Sequence, residues 1–465
     1  MLRGFKNDTV VAERVPSLMN RVVAELMRAG LSLLGARALT STSNRASSPT
    51  RPETGQPRVI LIGLDSMQGL GAARVLASRG VPVIALAKNG RSDWCRTRVC
   101  EEIVVTDTET EALIDTLEDI GPSLPERAVL VPCTDASVRL VSRHRRRLEP
   151  WYHVLLPPHE VVEMLMDKTS FYMYAMEHDL PIPTTDFIRS LPDLVAVIDN
   201  LAFPCILKPA NSATSLWEQN TDISAFRVES RDELLAIYDE THEWTDVFIL
   251  QEWIEGPDSN LYSCNCYFDA DSNPLVTFVA RKLRQWPPHV GKSCLGEECR
   301  NDTVLQETLR LLGGVGYRGL GYVEFKLNER TGEYVIVEPN IGRPTGRSAI
   351  AEAGGVDLLY TMYSDAVGLP LPPHREQTYR GAKWIHLRHD LQSALYYRRR
   401  GELTFPQWWR SWRGKKFYAL FSWSDPAPFF GDIARTARAF LSWEGRSGYS
   451  RRLTGTVGEP VRTED

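Results

Sequence analysis

Glu324, Glu338 and Asn340 stand in two apolar runs that flank the turn-forming stretch Asn328–Gly332. Folded as a hairpin about Thr331, these runs place Glu324 opposite Glu338 and Tyr322 opposite Asn340. Val323, Phe325, Leu327, Val335 and Val337 then fall on the other face, where they can enter a core. Two facing carboxylates cost stability unless a proton or cation separates them. An oxygen-only set of this kind suits Mg²⁺, with Mn²⁺ as the alternative, above all where phosphate supplies further ligands. A solvated sheet face would show the same period-two alternation.

Cationic and acidic groups recur at other strand ends. Phe203–Ala210 is a short apolar strand carrying Lys208, followed by the Asn/Ser/Thr loop Ala210–Ser215. A lysine among apolar neighbours either faces an anion or snorkels to solvent. The hydroxyls beside it fit a loop over phosphates. Val247–Gly256 ends in Glu252 and Glu255, acids able to accept from ribose hydroxyls, with Trp253 and Ile254 offering apolar surface to a base. The strand Pro274–Arg281 runs into Arg281-Lys282-Leu283-Arg284, a cationic cluster in a chain of net charge −5.

These residues need a scaffold. Apolar runs at Arg58–Leu64, Val81–Ala87, Glu102–Thr106, Ala128–Pro132 and His153–Leu156 alternate with helical patterns at Gly69–Arg79, Glu109–Glu118 and Ala136–Arg147. That order predicts a parallel, doubly wound layer. Its first turn, Gly63–Gly71, matches neither the dinucleotide fingerprint nor the Walker loop. Asp65, Ser66 and Asp135 lie near strand C-termini, where they are either ligand groups or helix caps. Helical patterns at Val161–Met166 and Lys168–His178 then lead to a strand at Thr184–Ile188.

The 465 residues allow two or three domains, and 43% hydrophobic with 24% charged residues is a globular composition. The charge balance gives no reason to expect nucleic acid as a partner. Eight scattered cysteines lack zinc-type spacing and read as reduced thiols in a cytoplasmic protein. No apolar run approaches the ~20 residues of a membrane span. Pro16–Leu39 reads as an amphipathic helix with Arg14, Arg21 and Arg28 to one side, before the Ser/Thr/Arg/Pro-rich linker Thr40–Pro57. A membrane-surface or protein contact through this helix, and homo-oligomerisation, are left open. From Tyr379 the chain is rich in Trp, Tyr and Arg, including Trp384, Trp408, Trp409 and Trp412. Such residues more often pack an appendage onto a body than mark a membrane interface. A helix near Asp432–Trp443 and a disordered tail, Gly445–Asp465, are expected to follow.

Taken in order, Asp167-Lys168, Phe203-Pro-x-Ile-Leu-Lys208-Pro, Leu250-Gln-Glu252-x-Ile-Glu255-Gly, Glu324-Phe-Lys and Glu338-Pro-Asn340 resemble the ATP-grasp superfamily of carboxylate–amine and carboxylate–thiol ligases. The likeness covers about Arg58 to Pro370 and lies nearest the carboxylate–amine ligase group, with D-aspartate ligase as a named relative. It implies an α/β and α+β chain of four parts. These are an N-terminal extension (1–57), a Rossmann-like pre-grasp domain (58–157), a two-lobed ATP-grasp domain (158–375) and an aromatic-rich C-terminal appendage (376–465). By the same resemblance Lys168 and Lys208 contact the phosphates of ATP, and Glu252 and Glu255 bind adenine and ribose. Glu324, Glu338 and Asn340 hold Mg²⁺, and Arg343 stabilises the acyl-phosphate. Asn-Ile-Gly-Arg replaces the family's Asn-Pro-Arg, which displaces that guanidinium by one residue and makes Arg347 a substitute. Arg281 and Arg284 are candidates to hold a substrate carboxylate, since guanidinium pairs with it in a bidentate fashion.

The implied reaction activates a small-molecule carboxylate as an acyl-phosphate and joins it to an amine. Carboxylation through carboxyphosphate and a non-catalytic ATP-binding module are the alternatives.

Overall fold

The computed structural model describes residues 55–210, 215–221, 225–288, 291–436 and 438. The expected N-terminal helix, the tail from Gly445 and most of the loop after Ala210 lie outside the described residues.

The apolar run after Arg58 becomes β1 (Val59–Ile62), every residue of it buried. β2 (Val83–Ala87), β3 (Glu102–Val105), β4 (Ala128–Pro132) and β5 (Tyr152–His153) join it in a parallel sheet of order β3-β2-β1-β4-β5. Continuous apolar strands are what a sheet covered on both faces requires. The expected strand at His153–Leu156 is shorter and begins one residue earlier. The expected helix Ala136–Arg147 is broken at His144 into Asp135–Arg143 and Arg145–Leu148. The sheet order reverses between β1 and β4, so the crevice at their C-terminal ends is where such a layer presents functional groups. Gly69 closes the first turn there. A Cβ on it would lie 2.2 Å from the Gly63 carbonyl oxygen, so only glycine lets the helix Met67–Ser78 start this close to the strand.

Two further sheets follow. β6 (Thr185–Ile188), β7 (Cys205–Pro209), β8 (Phe226–Val228) and β9 (Phe248–Glu252) form a four-stranded antiparallel sheet of order β6-β9-β7-β8. The larger sheet begins with β10 (Leu261–Phe268), β11 (Pro274–Trp286) and β12 (Lys292–Glu298). It continues with β13 (Gly319–Leu327), β14 (Tyr334–Ile341), β15 (Lys383–Ile385) and β16 (Lys416–Tyr418), in the order β14-β13-β10-β11-β12-β15-β16. The aromatic C-terminal region therefore supplies two strands of this sheet as well as helices. One core runs from Ile60 and Ile62 of the first sheet to Cys264, Val323 and Phe325 of the third, so the two layers are packed as one body.

Among the described residues no helix is long and apolar enough to cross a membrane. All eight cysteines are free thiols.

Candidate active site

The hairpin β13–β14 sets Glu324 opposite Glu338 and Tyr322 opposite Asn340, the register expected from alternation. Between Glu324 and Phe325 the register shifts, and Phe325 faces Ile336. Val337 is thus the extra residue of a bulge. Nearer the turn the alternation of β14 inverts: Ile336 joins Val323 and Phe325 in the core, while Val335 pairs with Lys326 on the other face. Of the expected inward pair, Val335 is buried but lies on the face of Lys326, Val337 is displaced by the bulge, and Ile336 takes the place beside Phe325. The bulge is held from outside the hairpin, because the Tyr172 hydroxyl donates to the Val337 carbonyl at 2.9 Å.

Glu324 is gripped by three donors. Lys282 Nζ lies 3.1 Å from Oε1; Arg347 Nη2 and the Tyr322 hydroxyl each lie 3.2 Å from Oε2. Lys282 and Arg347 are both buried. The Arg347 guanidinium stacks 5.2 Å from the Tyr322 ring centroid, and its Nη1 is buried with no hydrogen-bond partner. Burial pushes Arg347 down to about 9, still charged at neutral pH. Glu338 keeps solvent access, yet the surrounding protein and then Glu324 raise its pKa, while the Asn340 amide and Lys168 pull it back. Asn340 Nδ2 donates to Glu338 Oε1 at 3.1 Å.

Arg343 reaches this group despite the extra residue in Asn-Ile-Gly-Arg. Gly342 adopts φ +69° and turns the strand back, so Arg343 Nη2 donates to Asn340 Oδ1 at 2.8 Å. Arg343 Nε donates to Asp135 Oδ1 at 2.6 Å. Asp135 is therefore a site partner rather than a cap, since Thr134 caps that helix. Ser66 does prove to be a helix cap, and Asp65 braces the Asn89 amide.

The opposing wall is the four-stranded sheet with the helix Lys168–Glu177. Lys208 Nζ lies 3.4 Å from the Tyr172 hydroxyl and 5.1 Å from its ring centroid. Burial, and then the neighbouring Lys168, lower Lys208 to about 8, while Glu338 opposes them. Lys168, Lys208, Glu338, Glu324, Asn340 and Arg343 are thus brought into one cleft by position or by mutual field.

The other candidates lie elsewhere. Lys208 pairs with Ile249 across β7–β9, so the next position on its face of β9 is Gln251. Gln251 is buried and donates to Thr185 Oγ1 at 2.7 Å. Glu252 alternates to the opposite face, near the Thr184 hydroxyl at 3.4 Å, and Glu255 is exposed, 3.9 Å from Arg227. Across β13–β10–β11 the row Glu324–Ser263–Ala280 puts Lys282 on the acid face and Arg281 on the reverse. There Arg281 pairs with Glu297 at 2.9 Å, and Lys383 also binds Glu297. Burial pushes Glu297 up, but these two cations outweigh it and hold it below the usual carboxylate range. Arg284 is buried and donates to Asp390 at 2.7 Å and to Ser411 at 2.9 Å. Its guanidinium anchors the C-terminal helices and is not free for a substrate. The cation that sequence reasoning passed over is Lys282, whose place on the acid face follows from the pairing of β13, β10 and β11.

Among the described residues no group of three or more His, Cys, Asp or Glu gathers as a metal site. Two carboxylates and an amide do fit a hard divalent cation whose remaining ligands are phosphate oxygens and water. Burial first and then Glu324 raise the pKa of Glu338, and a cation between the two carboxylates would relieve the second of these.

A family model described as "Carbamoyl-phosphate synthase L chain, ATP binding domain" matches residues 293–374. The chain is 28% identical to the D-aspartate ligase of Enterococcus faecium (strain Aus0004) over 251 residues, 52% of this chain and 59% of that one. It is 23% identical to a D-alanine–D-alanine ligase of Pseudomonas entomophila (strain L48) over 224 residues, 44% of this chain and 65% of the relative. The matches therefore span less than two thirds of these ligases. Among solved structures, an N5-carboxyaminoimidazole synthetase from Staphylococcus aureus superposes with a TM-score of 0.56 at 12% identity, covering 72% of this chain and 83% of that one. A biotin carboxylase from Campylobacter jejuni gives 0.54 at 14% identity, covering 70% and 74%. Three sheets in this order, with the acid hairpin facing a lysine-bearing wall, make the architecture of this chain the ATP-grasp fold.

Proposed function

We propose that this protein is an ATP-dependent ligase that activates a carboxylate as an acyl-phosphate and joins it to an amine, releasing ADP and phosphate. The observation that carries this reading is the in-register pair Glu324/Glu338, with Asn340 beside it, in a cleft shared with Lys168 and Lys208. The ligase relatives and the ATP-binding family model support the same class.

A carboxylate is a poor electrophile, so its oxygen first takes the γ-phosphoryl of ATP and ADP leaves. Such a transfer needs charge neutralisation and alignment rather than a protein nucleophile. Lys208 and Lys168 supply positive charge from one wall. Arg343, aimed by Asp135 and Asn340, supplies it from the other. Glu324, Glu338 and Asn340 would hold Mg²⁺, or Mn²⁺, which when bound neutralises phosphate charge. The amine then attacks the acyl carbon, loses a proton, and phosphate departs. Arg347, with a buried unpaired Nη1 beside Glu324, is the group we assign to steadying the reacting carboxylate.

The test is a mass-resolved screen of D- and L-amino acids and metabolite carboxylates, paired with amine acceptors, reading ADP release and product mass. ADP release that needs bicarbonate and no amine would favour a carboxylase instead. Glu338→Ala should lower turnover by about 10²-fold or more with the melting temperature kept; undiminished turnover would sink the assignment.

A further inference from the structure

Away from the cleft, the run Arg143-His144-Arg145-Arg146-Arg147 borders a cavity of about 700 Å³ where the first sheet meets the third. Gly316 and Arg318, from the loop before β13, close its other side. The ligase chemistry uses none of these residues.

Some of this charge is already matched. Arg147 pairs with Glu118 at 2.7 Å, and His144 with Glu111 at 3.0 Å. Arg145 is held by the carbonyl oxygens of Leu156 and Pro157 at 2.6 and 2.7 Å, with Glu149 only at 3.6 Å. Arg143, Arg146 and Arg318 pair with no carboxylate among the described residues, and Arg318 Nε is buried without a hydrogen-bond partner. Glu160 is the one acid lining the cavity.

A bland account exists for part of the run. Arg143, in the last turn of the helix Asp135–Arg143, complements its dipole. That does not explain Arg318, which comes from a separate element and is set close enough to Arg145 to disfavour the latter's charge. Nor does it explain the second helix end at the cavity. The helix His159–Met166 begins there after Pro158, and no side chain caps its first-turn N–H groups. An uncapped N-terminus and three unmatched guanidinium groups facing one space form a receptor for a multiply charged oxyanion. The volume lies in the range of small-ligand sites.

We infer that this cavity binds a small phosphorylated compound through its diphosphate or equivalent phosphate groups, at a site separate from the nucleotide cleft. The helix Asp135–Arg143 sets the separation: Asp135 at its start holds Arg343, while Arg143 at its far end borders the cavity, about 12 Å along the axis.

Inorganic pyrophosphate is the probe, titrated calorimetrically into the full chain at about 0.1 M salt, where exposed charges are already partly screened. The wild-type protein should bind one equivalent. Arg143→Ser combined with Arg146→Ser, both exposed positions, should weaken binding at least tenfold, and Arg318→Gln should do so separately. Lys208→Met, in the nucleotide cleft, should leave the arginine-dependent equivalent in place, whatever it does to pyrophosphate entering the cleft. Loss of binding in Lys208→Met with none in the arginine variants would place pyrophosphate in the cleft and overturn the proposal. Undetectable binding by the wild-type protein at millimolar probe would overturn it too.

Discussion

Lys208 is the residue through which pH should reach the cleft. Its charge is disfavoured by burial and by Lys168, which sets its pKa at about 8 against the ordinary 10.5. A bound phosphate favours the charged form and raises the pKa again. Between these two values nucleotide binding must take up a proton, so affinity falls as pH rises through that window and is flat below it. The same shift makes the folded chain the weaker proton binder, so burying this lysine costs stability below about pH 8, and the cost fades toward pH 10.5. Nucleotide titrations at pH 8.5 in two buffers of different ionisation enthalpy would read the uptake, and Lys208→Met should remove it. A second contrast concerns neighbours on one strand. Lys282 touches Glu324 and Arg281 lies on the reverse face. Lys282→Met should cut turnover by about 10²-fold or more. Arg281→Met should leave it within about threefold and cost roughly 0.2–1 kcal/mol of stability. Steady-state kinetics and denaturant melts on the two variants decide between the assignments.

At the scale of elements, the β14 end shows how a single backbone angle replaces a sequence motif. Gly342 has φ +69°, and a Cβ there would lie 2.5 Å from Leu156 Cδ2 and 2.8 Å from Val138 Cγ1. Gly342→Ala should therefore cost about 1–3 kcal/mol. It should also reduce turnover, because the turn returns Arg343 to Asn340 and Asp135. Equilibrium unfolding beside an ADP-release assay checks both, and a neutral result in both would show the turn to be permissive. The hairpin register was legible in the sequence because period-two alternation on two apolar runs leaves few alternatives. The bulge at Val337 was not legible, since it answers to Tyr172 on a helix remote in sequence. Arg281 and Arg284 stand out in the sequence because guanidinium pairs with a carboxylate in a bidentate fashion, whereas the face that Lys282 takes depends on the pairing of β10 with β11 and β13. Glu252 stands out in the sequence as an acid at a strand end, whereas the pairing of Lys208 with Ile249 puts Gln251 on the lysine face. Asp135 could be read as an acid near a strand end, but its partner Arg343 comes from far along the chain.

For the whole molecule, the hydrogen bond that spans the most sequence among the described residues joins Arg74 to Asp425. Arg74 Nε donates to Asp425 Oδ2 at 2.9 Å and Nη2 to the Asp425 carbonyl oxygen at 2.7 Å, and Thr97 donates to the same carboxylate at 2.6 Å. Both charged partners are buried. Burial lowers the pKa of Arg74, and Asp425 offsets part of that shift. Removing one partner leaves an uncompensated buried charge, so Asp425→Ala should cost about 3–5 kcal/mol. A drop in the urea midpoint with an unchanged m-value would fit. A midpoint equal to wild type would mean the pair is dispensable.

The strands after Gly381 also bear on how the protein can be cut. β15 pairs with β12, and β16 with β15, so the aromatic region continues the sheet that carries Glu324 and Lys282. Asp390 receives Arg284 and the indole N–H groups of Trp408 and Trp412, and Tyr397 reaches Asp258. Asp258 in turn accepts from Gln285, whose amide oxygen accepts from Lys282. A truncation designed to shed an appendage at residue 376 would instead strip an edge from the sheet that carries Glu324 and strand two buried arginines, Arg74 and Arg284. For expression or crystallography, trimming belongs beyond the segment that holds Asp425.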